Sequence, residues 1–362
     1  MTARRQGPRV PAKLFVPLLL AIPAGCLPVG EQASMDADAL RVAETVLLYQ
    51  RNNGGWPKNY DRERSLSESD RKKLIGRKAK TDTTIDNGAT HREVRHLAKA
   101  YNATLDERYA QACLKGVEFM LKAQYENGGW PQFYPNPRGY QKHITFNDDA
   151  MIGVMTVLQD VARDRGSFPF ADAELRARCE AAVAKGTQCI LKCQIEVDGR
   201  KTAWCAQHDE NDFAPRKART YELASISGKE SVGIVRFLMG IDPPTPEVIE
   251  AVQGAVAWFD EAKLMGIRQV KKEVEGAPGG RDKVVVADAA APPMWARFYQ
   301  IGTNKPIFCS RDGIPRDTIA EISHERRNGY SWLGYYAADL LAKDYPAWQR
   351  KWARSVNVLQ GE

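Results

Sequence analysis

Four polar clusters carry the residue types that could do chemistry. The first is Thr83-Thr84-Ile85-Asp86-Asn87-Gly88-Ala89-Thr90, and the second runs from Tyr140 to Asp149 as YQKHITFNDD. Each ends where an amphipathic segment begins, and Asp86 and Asp148 take equivalent places in an internal repeat. A lone Asp at a helix start most simply caps the helix. Two such clusters brought together would also offer the carboxylate, amide and carbonyl oxygens that a calcium ion needs, although no EF-hand spacing is present. The third cluster is TAWCAQHDE at Thr202–Glu210, followed by Arg216 to Glu222, and the fourth is GTNKPIFCSRD at Gly302–Asp312. Both mix cations with aromatics. Arginine grips carboxylates with two hydrogen bonds, and exposed Trp or Tyr faces stack on sugar rings, so these loops suit an anionic sugar polymer. Taken singly, Trp56 and Trp130 read as core residues, and His143 and His208 as satisfied polar residues. Asp86, Asp148, Asp149, Asp209 and Glu222 leave open a two-carboxylate glycoside hydrolase, and a non-catalytic sugar-binding protein is the other alternative. No GxSxG elbow, HExxH or CxxC motif is present.

The elements that must position these clusters repeat. Tyr49–Pro57 (YQRNNGGWP) recurs as Gln124–Pro131 (QYENGGWP), with the Trp-Pro pairs 74 residues apart, and a degenerate third copy runs from Gln194 to Trp204. Each copy follows an apolar helical segment, Ala43–Tyr49, Val117–Ala123 and Thr187–Cys193. The glycines are expected to stop these helices by taking the left-handed conformation. Asp86–Tyr101 and Asp148–Val161 read as the preceding helices, and Ser231–Trp258 as a further hairpin. Stacked helical hairpins predict a mainly all-α fold, an α/α toroid whose Gly- and Trp-bearing loops gather on one face. Lys271–Val286 reads as a loop or β-hairpin excursion, and residues 61–80 as a solvated loop.

The 362-residue chain has a formal charge of +7. Arg4, Arg5, Arg9 and Lys13 precede the apolar run Leu14–Ile22, which predicts a signal peptide over residues 1–25. Its removal takes away four positive charges and leaves +3, no signature of nucleic-acid binding. Ala24-Gly25-Cys26 fits either a lipoprotein cleavage box or plain secretion. Residues 26–35 read as a linker and 36–355 as a single catalytic domain, expected to be monomeric with no stable protein partner. The seven cysteines form no disulfide framework, and Cys189 and Cys193, one helical turn apart, read as apolar filling.

At these clusters the sequence resembles the pectate lyases of polysaccharide lyase family 10. The resemblance rests on NGGWPKN (53–59), TIDNGAT (84–90), NGGWPQFYP (127–135), YQKHITFNDDAM (140–151) and TAWCAQHDE (202–210). It continues through ARTYE (218–222), SGKESVGIVRFLM (227–239), WARFYQIGTNKPIF (295–308), SRD (310–312) and RRNGYSW (326–332). It implies an α/α toroid and calcium-assisted β-elimination of polygalacturonate, giving 4,5-unsaturated products. The matching positions imply Arg219 as the base and Asp86 and Asp148 as calcium ligands. Asn87, Asn147 and Asp149 are then expected to shape the site. Lys142, Arg297 and Arg311 would bind substrate carboxylates, and Trp130, Tyr134 and Trp204 would line the sugar path. An arginine base needs a neutral fraction, so activity is expected to rise toward alkaline pH.

Overall fold

The computed structural model describes residue 1 and residues 35–163 and 167–359, of which the unit from Met35 onward is compact. The expected signal peptide, the Cys26 box and most of the linker lie outside the described residues.

From Met35 onward the chain is an array of helical hairpins. A first helix, α1 (Ala37–Tyr49), is followed by α2 (Glu68–Ile75) and then by three pairs: α3 (His91–Thr104) with α4 (Glu107–Ala123), α5 (Ala150–Ala162) with α6 (Ala173–Cys193), and α7 (Glu230–Met239) with α8 (Pro246–Glu261). Within each pair the helices pack on one another. Between pairs α3, α5 and α7 form one layer, and α4, α6 and α8 the other. This is the two-layered arrangement of an α/α toroid. Its apolar faces merge into one core that includes Val94, Leu97, Met120, Val154, Leu158, Ile190 and Val235. Two short helices, α9 (His324–Gly329) and α10 (Tyr345–Trp352), complete it.

The repeated loops are locked by side chains, and the lock differs from the one expected. The helices stop before the glycines, at Gln50, Gln124 and Gln194, each in an extended conformation. Each glutamine amide then donates to two carbonyls. One belongs to its own loop: Gly54 at 2.9 Å, Gly128 at 3.0 Å and Thr202 at 2.9 Å. The other belongs to a helix of the next hairpin: Ala112 at 2.8 Å, Ala182 at 2.9 Å and Ala251 at 2.8 Å. Gly54 and Gly128 do take positive φ, +93° and +94°. There they let the loop pass against the Lys115 and Lys185 carbonyls, where a β-carbon would come within 2.1 and 2.2 Å.

The tryptophans finish the lock. Trp56, Trp130 and Trp204 are fully buried, and their indole N–H groups donate back to the helix just left, at Val46, Met120 and Ile190. Trp56 and Trp130 lie over Gly116 of α4 and Gly186 of α6, the gaps a β-carbon would fill. Replacing Gln124 by leucine strands two buried carbonyls, so urea unfolding should report a loss of about 2 kcal/mol.

One other expectation changes, and one of two alternatives is selected. Residues 61–80 contain α2, because Ser67 and Asp70 form a reciprocal capping box that starts a helix in an otherwise charged stretch. The excursion after α8 is a two-stranded antiparallel ribbon, Ile267–Glu273 with Arg281–Ala287. Cys113, Cys179, Cys189, Cys193, Cys205 and Cys309 are all buried free thiols. Among the described residues no helix is long and apolar enough to cross a membrane.

Candidate active site

The helices α3 and α5 are each preceded by a single tight turn, Asp86–Gly88 and Asn147–Asp149. Asn87 (φ +53°), Asp148 (φ +50°) and Asp149 (φ +56°) take left-handed backbone there, which Asn and Asp tolerate best among residues with a side chain. The two turns pack against each other, so the equivalence legible in the repeat becomes proximity.

Neither Asp86 nor Asp148 caps a helix. The cap positions fall to Thr90 and Asp149, neither of which makes a side-chain capping bond. The Asp86 carboxylate is buried and pairs with Lys58 through Oδ2, while Oδ1 has no partner. Asp148 Oδ1 accepts from Lys229 Nζ at 2.7 Å and from Arg297 Nη2 at 3.4 Å, and Oδ2 accepts from Asn147 Nδ2 at 2.8 Å. Burial opposes the Asp148 charge. The Lys229 hydrogen bond and the charges of Lys229 and Arg297 outweigh it and hold the pKa below the usual carboxylate value. The donor set fits a hard cation: oxygen ligands only, one carboxylate kept ionised, and one buried carboxylate oxygen without a partner.

Below this face lies Arg297, only 4% exposed. Its Nη2 donates to Glu230 Oε1 at 2.6 Å and to Asn147 Oδ1 at 3.0 Å, and its guanidinium lies 4.5 Å from the centre of the Tyr330 ring. Glu230, 2% exposed, is fixed in turn by Ser227 Oγ at 2.5 Å. Arg297 is thus engaged from beneath and holds the 147–149 turn, which departs from the expected role of a free hand for substrate carboxylates.

Arg219 lies on the loop after the short strand Gln207–His208. Its Nε donates to Glu222 Oε2 at 2.7 Å, its Nη2 donates to Oε1, and its guanidinium sits 4.9 Å from the Tyr221 ring centre and 5.8 Å from that of Tyr330. Tyr330 Oη donates to Glu222 Oε1 at 2.6 Å. The Arg219 side chain is 45% exposed and that of Glu222 only 5%. The loop therefore presents a guanidinium from an anchored carboxylate. Glu222 pushes the guanidinium pKa further above its ordinary value. The pKa of the Tyr140 phenol is raised chiefly by burial, and the charges of Arg219, Glu222 and Asp86 also act on it.

The remaining expected residues divide. Trp130 and Trp204 have no exposed face and cannot stack on a sugar, because their rings fill the gaps between hairpins. Tyr134 is half-buried, its ring edge-on to Phe119 at 5.5 Å. Asn87 is exposed and donates to Asn59 Oδ1 at 2.9 Å. Asp149 Oδ1 lies against Gly233 of α7, where a β-carbon would come within 2.3 Å. Lys142 and Arg311 are exposed and pair with Glu210 at 2.8 Å and Glu325 at 3.0 Å. Arg311, Arg219 and Arg326 all surround the Tyr221 ring.

His143, Asp209 and Glu210 bring three ligand-type atoms within 4.8 Å of one another. All three are engaged, Asp209 by Arg216 at 2.9 Å and Glu210 by Lys142 and by His143 at 2.9 Å. His208 is a buried neutral imidazole, accepting from the Cys205 N–H at 3.0 Å, with its pKa lowered by burial to about 4. Sequence reasoning assigned no role to Lys229, Glu230, Tyr330 or Tyr140. All four lie inside the motifs that carry the resemblance, but their roles arise only from contacts between distant segments.

Comparisons with known proteins identify the family of this fold. Residues 50–341 match the family described as "Pectic acid lyase". Two solved structures of a family 10 polysaccharide lyase from Cellvibrio cellulosa are similar throughout. One, a point mutant in complex with trigalacturonic acid, is 38% identical over 86% of this chain and 92% of its own, with a TM-score of 0.73. The other is 39% identical over 87% and 92%, also with a TM-score of 0.73. No curated protein matches the chain. With a family match over residues 50–341 and the fold and most of its length in common with these enzymes, the chain belongs to the pectic acid lyase family and is a polysaccharide lyase.

Proposed function

We propose that this pectate lyase cleaves α-1,4-linked polygalacturonate by calcium-assisted β-elimination, with Arg219 as the base. The observation that carries the proposal is the half-exposed Arg219 guanidinium, presented by the buried Glu222 carboxylate and resting against the rings of Tyr221 and Tyr330. The trigalacturonic acid bound by the mutant Cellvibrio enzyme supports an oligogalacturonate substrate.

The C5 hydrogen of a galacturonate is acidic only because the adjacent carboxylate can hold the negative charge that develops on its loss. Asp86 and Asp148 would hold the calcium ion, with Asn87, Asn147 and Asp149 around it. When bound, the ion would neutralise the substrate carboxylate and so stabilise that charge. Lys58 and Lys229, which now occupy the two aspartates, stand beside the same position and add positive charge to it. Arg297 keeps Asn147 and Asp148 in place from beneath. Lys142 and Arg311 would meet further uronates by exchanging their acidic partners, Glu210 and Glu325, for substrate. A neutral Arg219 nitrogen accepts the C5 proton, the C–H electron pair forms the C4–C5 double bond, the C4–O bond breaks, and water protonates the departing oxygen. We further propose export, lipid-anchored at Cys26 or simply secreted, on the strength of the Leu14–Ile22 run.

The test is ultraviolet absorbance of polygalacturonate incubated with the mature protein. A rise that needs calcium and is abolished by EDTA is expected, since elimination leaves a conjugated double bond. A flat trace with new reducing ends would mean hydrolysis instead, and a flat trace with none would mean binding only.

A further inference from the structure

The ribbon Ile267–Glu273/Arg281–Ala287 carries a charge arrangement that costs stability when the protein is alone. Its register sets Lys271 directly opposite Lys283, so the two side chains project from the same face. Like charges facing across a pair of strands repel, and among the described residues neither lysine has an acidic partner within ion-pair distance. Burial, and after it Lys271, lowers the pKa of the Lys283 amine.

Lys283 is nevertheless held firmly in this place. Its Nζ donates to the Tyr330 carbonyl at 3.0 Å and its backbone N–H to Asn328 Oδ1 at 3.0 Å. The neighbouring Asp282 is clamped by Arg327 and by Asn328 Nδ2 at 2.7 Å, which pins the ribbon to the 324–330 segment. What Lys283 faces is a cleft of about 310 Å³ whose lining includes Asp148, Lys229, Arg297, Asn328 and Tyr330. Within that lining Arg297 is matched by Glu230 beneath it, and Lys229 by Asp148. Lys283 is the cation left without an acid.

We propose that the ribbon forms one wall of the substrate groove and that Lys283, backed by Lys271, is a carboxylate-binding subsite that favours unesterified over methyl-esterified galacturonate. The proposal rests on the pectate-lyase reading above and adds a specificity determinant to it. A uronate carboxylate entering the cleft relieves the repulsion between the two lysines. A methyl ester, having no charge, does not. The subsite therefore rewards the free acid selectively.

The experiment is steady-state kinetics of the full mature enzyme with calcium, on polygalacturonate and on a partly methyl-esterified polygalacturonate. Lys271→Gln/Lys283→Gln removes both charges and keeps a neutral N–H donor on a side chain one bond shorter. It should raise KM for polygalacturonate about tenfold, leave kcat within about twofold, and reduce the preference for the unesterified polymer by a similar factor. Lys283→Arg, which keeps the charge, should retain most of the preference. Equal losses on both polymers, or loss of preference in Lys283→Arg, would mean that the ribbon only supports the fold and would overturn the proposal. If the wild type cleaves polygalacturonate and the double variant matches it, the subsite alone is wrong. If the wild type neither cleaves nor binds polygalacturonate, the functional reading has failed and takes the subsite with it.

Discussion

Arg219→Lys should cleave polygalacturonate at least about 10³-fold more slowly than the wild type, with its unfolding transition unchanged. The direction is informative because lysine loses its proton more readily than arginine. If a large neutral fraction were all that mattered, lysine would be the better base. The structure says why it should fail. Arg219 reaches Glu222 with both Nε and Nη2, and rests on the rings of Tyr221 and Tyr330. An ammonium cannot make that planar two-point contact while leaving a further nitrogen free for the C5 proton. A Lys variant of wild-type activity would remove Arg219 from the base's role.

The same pairing sets the pH dependence. Glu222 raises the Arg219 pKa, so the neutral form is scarce throughout the ordinary pH range. Below that pKa the neutral fraction grows tenfold per pH unit, and kcat/KM should climb across the alkaline range without a plateau until unfolding ends the measurement. Glu222→Gln removes the charge that raises the pKa and should bend the profile toward a plateau at lower pH, even as weaker orientation lowers the overall rate.

Glu230→Ala should cost about 3–5 kcal/mol of stability, among the largest losses any single substitution here can cause. The carboxylate is 2% exposed, and its partner Arg297 is 4% exposed. Burial opposes the Arg297 charge, and Glu230 is the foremost of the groups that offset it. Removing Glu230 leaves a buried cation with one nitrogen, Nε, already lacking a partner. Chemical denaturation measures the loss. The Glu230→Leu/Arg297→Met pair should recover much of the stability, since an apolar pair needs no compensation, while elimination stays slow because Asn147 and Asp148 have lost their support. If Glu230→Ala unfolds like the wild type, Arg297 is held by other means.

Much of this was legible in the sequence, and the residues show where legibility stopped. The 74-residue echo of the GGWP loops gave the hairpin array, because a fixed period means a repeated unit. The equivalence of Asp86 and Asp148 gave the paired turns. The details failed where two segments far apart decide the outcome. The stop signal lies in Gln50, Gln124 and Gln194, whose second carbonyl sits 57 to 62 residues onward, so local text pointed to the glycines instead. Trp130 and Trp204 carry the residue type of a sugar platform, yet both are fully buried, Trp130 over Gly186, 56 residues onward. Arg297 is 150 residues from Asn147, and Lys229 is 81 from Asp148. No local pattern encodes such pairs. The ribbon was legible as an excursion, but its register, and with it the meeting of two lysines, was not.

The glutamine locks give the array a direction. Each glutamine fastens its loop to the hairpin that comes after it. Gln349 has the same habit at the end of α10, but its amide closes on Ala353 and Val356, a few residues onward. Such a molecule is built like a row of clasps, in which every unit borrows its fastening from its successor. Ancestral duplication could lengthen the row from within, because an inserted hairpin arrives with a clasp for the next unit and a catch for the previous one. By the same logic a chain cut just before α5 would leave its last clasp, Gln124, without its Ala182 catch. A growing chain on the ribosome would secure each loop only after the following hairpin had emerged.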